Sequence, residues 1–283
     1  MAKKKNLIDF TGMKKKGEQV TWITAYDFPT ASFAVAAGLD MILVGDSLGM
    51  VVLGYSGTNP VTMEDCISHC QAVKRGAPNT WIVGDMPFGS YQASDEDAVR
   101  NACRFLKEAQ TDCVKLEGGV RVQSRIKAIA DAGIPVIGHI GLTPQSSGQL
   151  GGFKAQGRTV ANARALIADA LAVQNAGAYS ILIEAVPPEV TAFLCGLLTI
   201  PVYSIGAGPA DGQLIICGDM LGMFQAFTPK FVKKYANVAE VEIDAMKHYV
   251  EDVRGKVFPS DEYVYHISDP VEDFEKLFRE YTK

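Results

Sequence analysis

The sequence lacks several features that would set the chain apart from ordinary globular proteins. No stretch approaches the ~20 apolar residues of a membrane span, and the start, MAKKKNLIDF, lacks the long apolar segment of a secretory signal peptide. None of the six cysteines forms a CxxC pair, so we interpret them as buried thiols in a reducing compartment. The sequence therefore predicts a cytoplasmic protein with no membrane partner.

Positive charge is also scarce, with 27 Lys and Arg against 32 Asp and Glu, a net charge of −5. This balance argues against nucleic acid or an anionic membrane surface as the main partner. The lysine runs at 3–5 and 14–16 are short, and the rest of the chain does not extend them. We interpret them as solvated N-terminal lysines.

What the chain does contain is a series of short apolar runs that alternate with helical patterns. Seven runs end in a polar or charged residue and an eighth ends in glycines: TWITAYD, MILVGDS, TWIVGDMP, DCVKLEGG, PVIGHIG, YSILIEA, PVYSIGAG and LIICGD. Interiors such as ILVG and WIVG are apolar throughout, as in parallel strands buried on both faces. Alternation of such strands with helices indicates βαβ units.

Eight repeats favour a closed (β/α)₈ barrel, the TIM barrel, over an open doubly wound sheet, which remains the alternative. We expect a single domain over residues 1–283, with a short N-terminal lead and a C-terminal helical tail. Such a barrel gathers the carboxyl ends of its strands on the face that holds the active site. Two long loops after strand ends, 47–62 and 140–158, are therefore expected to be lids or substrate loops.

Three acids end three successive runs, namely Asp46, Asp85 and Glu117. A hard cation such as Mg²⁺ prefers oxygen ligands and usually takes one or two protein carboxylates. We therefore predict a metal site at Asp46 and Asp85, with Glu117 as a third ligand, direct or through water. The alternative is that these acids cap helices or pair with a lysine.

Other polar side chains are expected at the same face. Lys115 lies on the same side of its strand as Glu117, where it can bind a substrate carboxylate, balance charge or form a Schiff base. His139 is a candidate for ligand contact or proton handling. Glu184 follows three apolar residues and is a candidate general base.

The remaining strand ends carry weaker signals. Asp27 and Asp219 are expected to cap the helices that follow them. Ser47 can bind an anionic oxygen through its hydroxyl or amide. The segment IGAGP at 205–209 is similar to a phosphate-binding glycine loop, although tight packing explains it equally well.

Together, the acids, the lysine and a separate base suggest one class of reaction. A 2-oxo acid would chelate Mg²⁺, a base would remove the proton from the adjacent carbon, and the resulting enolate would attack an electrophile. A Mg²⁺-dependent lyase of a small 2-oxo acid and a non-catalytic ligand-binding barrel are the alternatives.

The motifs GDSLGMVVLGY, GDMPFGSY, VKLEGG, GHIGLTPQS and GGFKAQGR together resemble the ketopantoate hydroxymethyltransferase family, within the phosphoenolpyruvate mutase and isocitrate lyase group of barrels. The resemblance runs from about Asp9 to Pro259. It implies transfer of a hydroxymethyl group from 5,10-methylenetetrahydrofolate to 3-methyl-2-oxobutanoate, giving 2-dehydropantoate on the route to pantothenate. It also implies a cytoplasmic homo-oligomer, typically a decamer.

The resemblance assigns roles to individual residues. It places Mg²⁺ on Asp46, Asp85 and Glu117, the oxo acid on Asp46, Ser47, Asp85, Lys115 and His139, and the proton acceptor at Glu184. The chain departs from the family's usual pattern at GYSGTNP (54–60), at Ser204 and at Gly218. These departures leave the metal acids untouched.

Overall fold

The computed structural model describes residues 4–282, so Lys3 of the first lysine run lies outside the described residues. The chain divides into two compact units, residues up to 236 and residues from 237 onward. No helix within 4–282 is long and apolar enough to cross a membrane.

The first unit is a closed barrel of parallel strands, which confirms the predicted (β/α)₈ architecture. Within residues 4–282, eight strands close in the order β1 to β8, with β8 pairing back onto β1. They are β1 Val20–Thr24, β2 Met41–Val44, β3 Trp81–Asp85, β4 Cys113–Glu117, β5 Val136–Gly141, β6 Ser180–Glu184, β7 Val202–Ile205 and β8 Gly212–Ile215. Each strand overlaps one apolar run, and only β1 and β8 begin before their runs, by one and two residues.

Helices connect most of the strands, and further helices precede β1 and follow β8. They are α1 Leu7–Lys16, α2 Phe28–Ala36, α3 Leu48–Val51, α4 Met63–Gly76, α5 Asp95–Glu108, α6 Gln123–Asp131, α7 Ser147–Leu150, α8 Val160–Asn175, α9 Pro188–Leu197, α10 Cys217–Met220, α11 Val238–Arg254 and α12 Val271–Tyr281. Short 3₁₀ turns cover Val120–Val122, Pro144–Ser146 and Asp261–Tyr263.

The long helices begin where their capping residues predict. The hydroxyls of Thr62, Ser94 and Thr159 accept hydrogen bonds from amides in the first turns of α4, α5 and α8. Acids fill the first turn of α4, and Lys74 and Arg75 lie in its last turn, which complements the helix dipole. Local sequence therefore determines these helix starts.

The barrel unit has two apolar cores. Between the strands and the outer helices, buried aliphatic side chains pack around Phe105 and its neighbours. Inside the barrel, at the amino-terminal end of the strands, aromatic side chains including Phe10, Trp22, Trp81 and Tyr203 fill the lumen. Phe10 packs edge-on against Trp81, with ring centroids 5.6 Å apart. The lumen is therefore closed at one end, so a ligand can enter only from the carboxyl-terminal end.

Helix α1 closes the amino-terminal end and corrects the interpretation of the lysine runs. Asn6 caps the helix in a reciprocal capping box with Asp9. The lysines in this helix and just before it are not simply solvated, because Lys4, Lys5 and Lys14 form ion pairs of 2.5, 2.6 and 2.7 Å with acids on the barrel. No local pattern indicates this pairing, since the partner acids lie up to 197 residues away in the chain.

Those partner acids share one arrangement. Asp40, Asp112 and Asp211 each immediately precede a strand: β2, β4 and β8. Each carboxylate also accepts, at 2.8 Å, a backbone N–H from the neighbouring strand. Each acid thus pairs with one ammonium and one backbone amide, and Asp40 also accepts the hydroxyl proton of Thr21 at 2.9 Å.

The second unit contains α11, the 3₁₀ turn Asp261–Tyr263 and α12. In it the rings of Tyr249, Phe258 and Tyr263 lie in a row, with centroids 5.9 and 5.5 Å apart. The sequence predicted a helical tail beyond Phe231, and helices are present there. The single-domain organisation remains a prediction.

Candidate active site

A cavity of about 940 Å³ opens at the carboxyl-terminal end of the strands. Both long loops contribute to its wall, 47–62 through Met50 and Thr58 and 140–158 through Phe153 and Arg158. The candidate residues Asp46, Ser47, Asp85, Lys115, Glu117, His139 and Glu184 all line it. The barrel therefore brings together every site residue that the sequence predicted.

Strand register explains why these side chains meet. Asp85 on β3 is the register partner of Lys115 on β4, and Glu117 on β4 is the partner of His139 on β5. Side chains alternate along a strand, so Lys115 and Glu117 face the same side, as predicted. The result is a row of charged groups across three adjacent strands.

Short distances connect the row. Lys115 Nζ lies 2.7 Å from Asp85 Oδ1 and 3.8 Å from Glu117 Oε1. His139 Nδ1 lies 3.3 Å from both Lys115 Nζ and Glu117 Oε1. Its other nitrogen, Nε2, lies 3.2 Å from Glu184 Oε2. His139 thus contacts the lysine and acid cluster with one nitrogen and the candidate base with the other.

The cluster carries more negative than positive charge, and it is buried. Burial, followed by repulsion from Glu117, raises the pKa of Asp46. Burial also raises the pKa of Asp85 well above its usual range and raises that of Glu117, although Lys115 opposes both shifts. Three acids around one ammonium form a site that a further cation would stabilise.

The lysine keeps its proton. Burial alone would lower the pKa of Lys115, but the carboxylates of Asp85, Glu117 and Asp46 raise it overall. A protonated amine is not a nucleophile, so this environment disfavours the Schiff-base alternative. Burial and the adjacent ammonium lower the pKa of His139, which favours its neutral form.

The residues fit a hard cation at the carboxylates, although among residues 4–282 no group of three or more His, Cys, Asp or Glu forms a preformed metal cage. The backbone N–H of Asp46 donates to Asp85 Oδ2 at 2.9 Å, which ties the two strand ends together. Asp85 Oδ1 already faces the Lys115 ammonium at 2.7 Å, whereas Glu117 Oε1 is buried, has no hydrogen bond within the described residues and lies 3.3 Å from His139 Nδ1. Two carboxylates supplemented by water or substrate suit Mg²⁺.

Two buried residues in the site were missed by sequence reasoning. Gln145, in the loop after β5, donates from Nε2 to Asp46 Oδ2 at 2.8 Å and from its backbone N–H to Glu117 Oε2 at 3.0 Å. Tyr91 donates its hydroxyl proton to Gln145 Oε1 at 2.6 Å. The length of loop 140–158 indicated that residues in it, such as Gln145, could contribute to the site. Tyr91 lies in a short loop after β3, and no sequence pattern indicated a role for it.

Ser47 also has a partner that was not foreseen. Its Oγ lies 2.8 Å from the hydroxyl of Tyr26, which follows β1. Tyr26 is in turn held through its backbone carbonyl by Nδ1 of His69 on α4. The serine hydroxyl is therefore oriented at the cavity wall.

The weaker expectations had mixed outcomes. Asp27 caps α2, accepting the N–H of Thr30 at 2.8 Å, as predicted. The capping role for Asp219 was wrong, because it lies within the short α10, makes no cap and lines the cavity. Gly206 in the glycine segment has φ +64°, and a Cβ there would lie 2.5 Å from the Phe231 ring, so backbone geometry and packing explain that glycine.

One departure from the expected motif has a local explanation. Ser204 on β7 is fully buried, and its Oγ accepts the N–H of Ala207 at 3.1 Å. The hydroxyl thus stabilises the turn that follows the strand.

Comparison with other proteins gives a consistent result. A model of the family described as ketopantoate hydroxymethyltransferase matches residues 4–261. The protein named 3-methyl-2-oxobutanoate hydroxymethyltransferase from Alkaliphilus metalliredigens (strain QYMF) is 75% identical over 281 residues, covering 99% of this chain and 100% of the relative. One of the same name from Heliobacterium modesticaldum (strain ATCC 51547 / Ice1) is 51% identical, covering 95% of this chain and 98% of the relative.

Solved structures agree on the fold. Phosphoenolpyruvate phosphomutase from Streptomyces platensis subsp. rosaceus superposes with a TM-score of 0.59 at 15% identity, covering 98% of this chain and 96% of that chain. At this identity the likeness shows the barrel fold alone.

Proposed function

Because the chain belongs to the ketopantoate hydroxymethyltransferase family, we propose that it transfers a hydroxymethyl group from 5,10-methylenetetrahydrofolate to 3-methyl-2-oxobutanoate. The product would be 2-dehydropantoate, on the route to pantothenate. The observation that carries the proposal is the family match over residues 4–261. The convergence of the acids, the lysine and Glu184 on one cavity supports it from the structure.

In this proposal, Asp46 and Asp85 hold Mg²⁺, with Glu117 as a direct or water-mediated ligand. The cation supplies Lewis-acid polarisation of the oxo acid's carbonyl when it is bound. The buried oxygen Glu117 Oε1, which has no hydrogen bond in the described chain, supports this assignment.

The remaining polar groups bind and orient the oxo acid. The Lys115 ammonium and the Ser47 hydroxyl serve as donors to its carboxylate or carbonyl oxygens, and Asp46, Asp85 and His139 complete its surroundings. The Tyr26 hydroxyl holds Ser47 in place at 2.8 Å. Pre-oriented donors of this kind cost no reorganisation during the reaction.

Glu184 acts as the general base. It is half-buried, lines the cavity and has His139 Nε2 3.2 Å from its carboxylate. It removes the proton from C3 of the oxo acid, and the C–H electron pair moves to form the enolate, with negative charge on the carbonyl oxygen. Hydrolysis of the folate's one-carbon unit by water breaks its C–N bonds, releases tetrahydrofolate and leaves the carbon as formaldehyde. The C3 carbon then attacks that carbon, and the C=O electron pair takes up a proton to become the hydroxyl of the product.

The outer cavity suits the folate. Phe224, Phe227 and Phe231 give one part of the wall an aromatic surface, and Lys154 and Arg158 supply positive charge. Flat rings can stack on the aromatic side chains, and the glutamate carboxylates of the folate can approach the cations.

The decisive experiment is turnover of 3-methyl-2-oxobutanoate by the purified chain with Mg²⁺, with and without methylenetetrahydrofolate. We expect 2-dehydropantoate only when the folate is present. Cleavage of the oxo acid without folate would instead support the lyase, which the curated relatives do not favour. Failure to bind either Mg²⁺ or the oxo acid in a calorimetric titration would support the non-catalytic barrel.

We further propose a cytoplasmic homo-oligomer, by analogy with the family. Large apolar side chains that are more than half exposed on the barrel unit, including Phe33 and Phe193, are candidates for burial between copies. Analytical ultracentrifugation should show an assembly near ten chains, and a monomer would contradict this part of the proposal.

A further inference from the structure

Gln145 has an unusually complete set of hydrogen bonds for a loop residue. It is 3% exposed. Besides its contacts to Asp46 and Glu117, its Nε2 donates to the carbonyl of Met86 at 3.0 Å, so both amide protons are used. Its Oε1 accepts from Tyr91 at 2.6 Å. One neutral side chain and its backbone amide therefore connect two of the proposed metal ligands.

Its neighbours fix the orientation of the amide. The carboxylate of Asp46 and the carbonyl of Met86 only accept hydrogen bonds, so they require the NH₂ group on their side. Tyr91 has a single hydroxyl proton, and the 2.6 Å contact to Gln145 Oε1 is much shorter than its 3.3 Å contact to the carbonyl of Glu117. The shorter contact takes the proton, so the tyrosine holds the amide in its donating orientation.

This arrangement uses one oxygen of each acid and leaves the other for a cation. Gln145 binds Asp46 through Oδ2 and Glu117 through Oε2. Within the described chain, Glu117 Oε1 is buried and has no hydrogen bond. A neutral donor orients the acids without cancelling their charge, whereas a lysine or arginine at the same place would compete with the metal.

We propose that Gln145, held by Tyr91, is a positioning residue that sets the Asp46 and Glu117 carboxylates for divalent-cation binding. The inference rests on the proposed function, because it assumes that these acids bind the cation. Hydrogen-bonding partners behind metal ligands typically contribute about 10- to 100-fold to metal affinity.

The test is calorimetric titration of MgCl₂ into the full chain with 3-methyl-2-oxobutanoate present. Gln145→Met keeps the volume of the side chain but removes its donors, and we expect about 10- to 100-fold weaker Mg²⁺ binding. Tyr91→Phe removes a single hydroxyl, and we expect a smaller loss, about 10-fold. In kinetics, both variants should raise the Mg²⁺ concentration for half-maximal rate, with kcat at saturating Mg²⁺ changed much less.

Tyr203→Phe is the matched control. Tyr203 is also fully buried, its hydroxyl has no hydrogen-bond partner in the described residues, and it lies in the barrel lumen away from the acids. This variant should bind Mg²⁺ like the wild type. Wild-type affinity in both Gln145→Met and Tyr91→Phe would overturn the inference, and Tyr91→Phe alone decides it if Gln145→Met does not fold.

The outcomes also separate this inference from the proposed function. If the wild-type chain converts the substrate but the variants bind Mg²⁺ normally, only the positioning role fails. If the wild-type chain binds no Mg²⁺ in the presence of the oxo acid, both fail.

Discussion

The two ends of the barrel differ in how completely their acidic side chains are paired with cations. At the amino-terminal end, Asp40, Asp112 and Asp211 each have one lysine of the N-terminal segment and one backbone N–H as partners. At the carboxyl-terminal end, three acids share the single ammonium of Lys115, and Glu117 Oε1 has no hydrogen bond in the described chain. Acids and lysines are therefore paired one to one at one end, whereas at the other end the acids outnumber their ammonium.

This difference separates stability from function within one fold. Buried charge without full pairing costs free energy, and a protein retains it where a ligand or a reaction needs it. Contacts at the amino-terminal face of a barrel contribute to stability, whereas strand ends at the opposite face carry the chemistry. Substitutions at the two ends should accordingly affect different measurements.

The largest expected effect is on catalysis at the carboxyl-terminal end. Glu184→Gln replaces the proposed base with an amide that cannot accept the C3 proton. Proton exchange at C3 of the oxo acid should fall by about 10²- to 10⁴-fold, as measured by NMR in D₂O. Binding of Mg²⁺ and oxo acid should persist. The exposed Glu189→Gln should behave like the wild type, and full exchange in Glu184→Gln would remove Glu184 as the base.

The next largest effect should fall on stability at the amino-terminal end. Phe10→Ala removes a fully buried ring that packs on Trp81. We expect a loss of about 3–5 kcal/mol in the free energy of unfolding, measured with urea, because the cavity cannot be filled by rigid neighbours. Ile8→Ala, which truncates an 82% exposed side chain on the same helix, should change it little. Equal losses in the two variants would show that α1 does not seal the lumen as described.

A smaller stability effect should follow from breaking one acid–amide pair. Asp112→Ala leaves the N–H of Ile82 without its 2.8 Å acceptor. We expect a loss of about 1–3 kcal/mol in the free energy of unfolding, with kcat unchanged. Lys4→Ala removes only the partly exposed ammonium and should cost less than about 1 kcal/mol. A larger effect from Lys4→Ala would mean that the ion pair, not the amide, dominates.

The smallest effect is a pH dependence at the carboxyl-terminal end. Burial raises the pKa of Asp219 to about 6. The folded state therefore holds this proton more tightly than the unfolded state, so Asp219 reduces stability as pH rises from about 4 to 6. Asp219→Asn removes that cost. We expect the variant to match the wild type near pH 4 and to exceed it by about 1–2 kcal/mol at pH 7.5, since the cavity partly solvates the group.

Unfolding curves at the two pH values measure this difference directly. A gap between Asp219→Asn and the wild type that is constant across pH would show that the substitution acts through packing instead of ionisation.

The sequence predicted the carboxyl-terminal end better than the amino-terminal end. Apolar runs with polar ends are a local pattern, and barrel topology then brings Asp46, Glu117 and Glu184 together. The α1 contacts had no local signal, because Lys14 meets Asp211 across 197 residues. A lysine run has the same sequence pattern whether it is solvated or paired.

The roles of Gln145 and Tyr91 could also not be predicted from the sequence. Neither residue type is a typical ligand of Mg²⁺, and their importance depends on hydrogen bonds between loops that follow different strands. The failure of the capping prediction for Asp219 has a similar origin. The helix after β8 is four residues long, so the aspartate lies inside it and faces the cavity instead of its first amides.

The central claim is that this cavity makes C3 of a 2-oxo acid acidic with the help of a divalent cation. NMR in D₂O can follow the C3 proton of 3-methyl-2-oxobutanoate with the wild-type chain and MgCl₂, in the absence of folate. We predict loss of the C3 proton signal, which EDTA should stop. A C3 signal that persists under conditions where the enzyme turns over with folate would contradict the account.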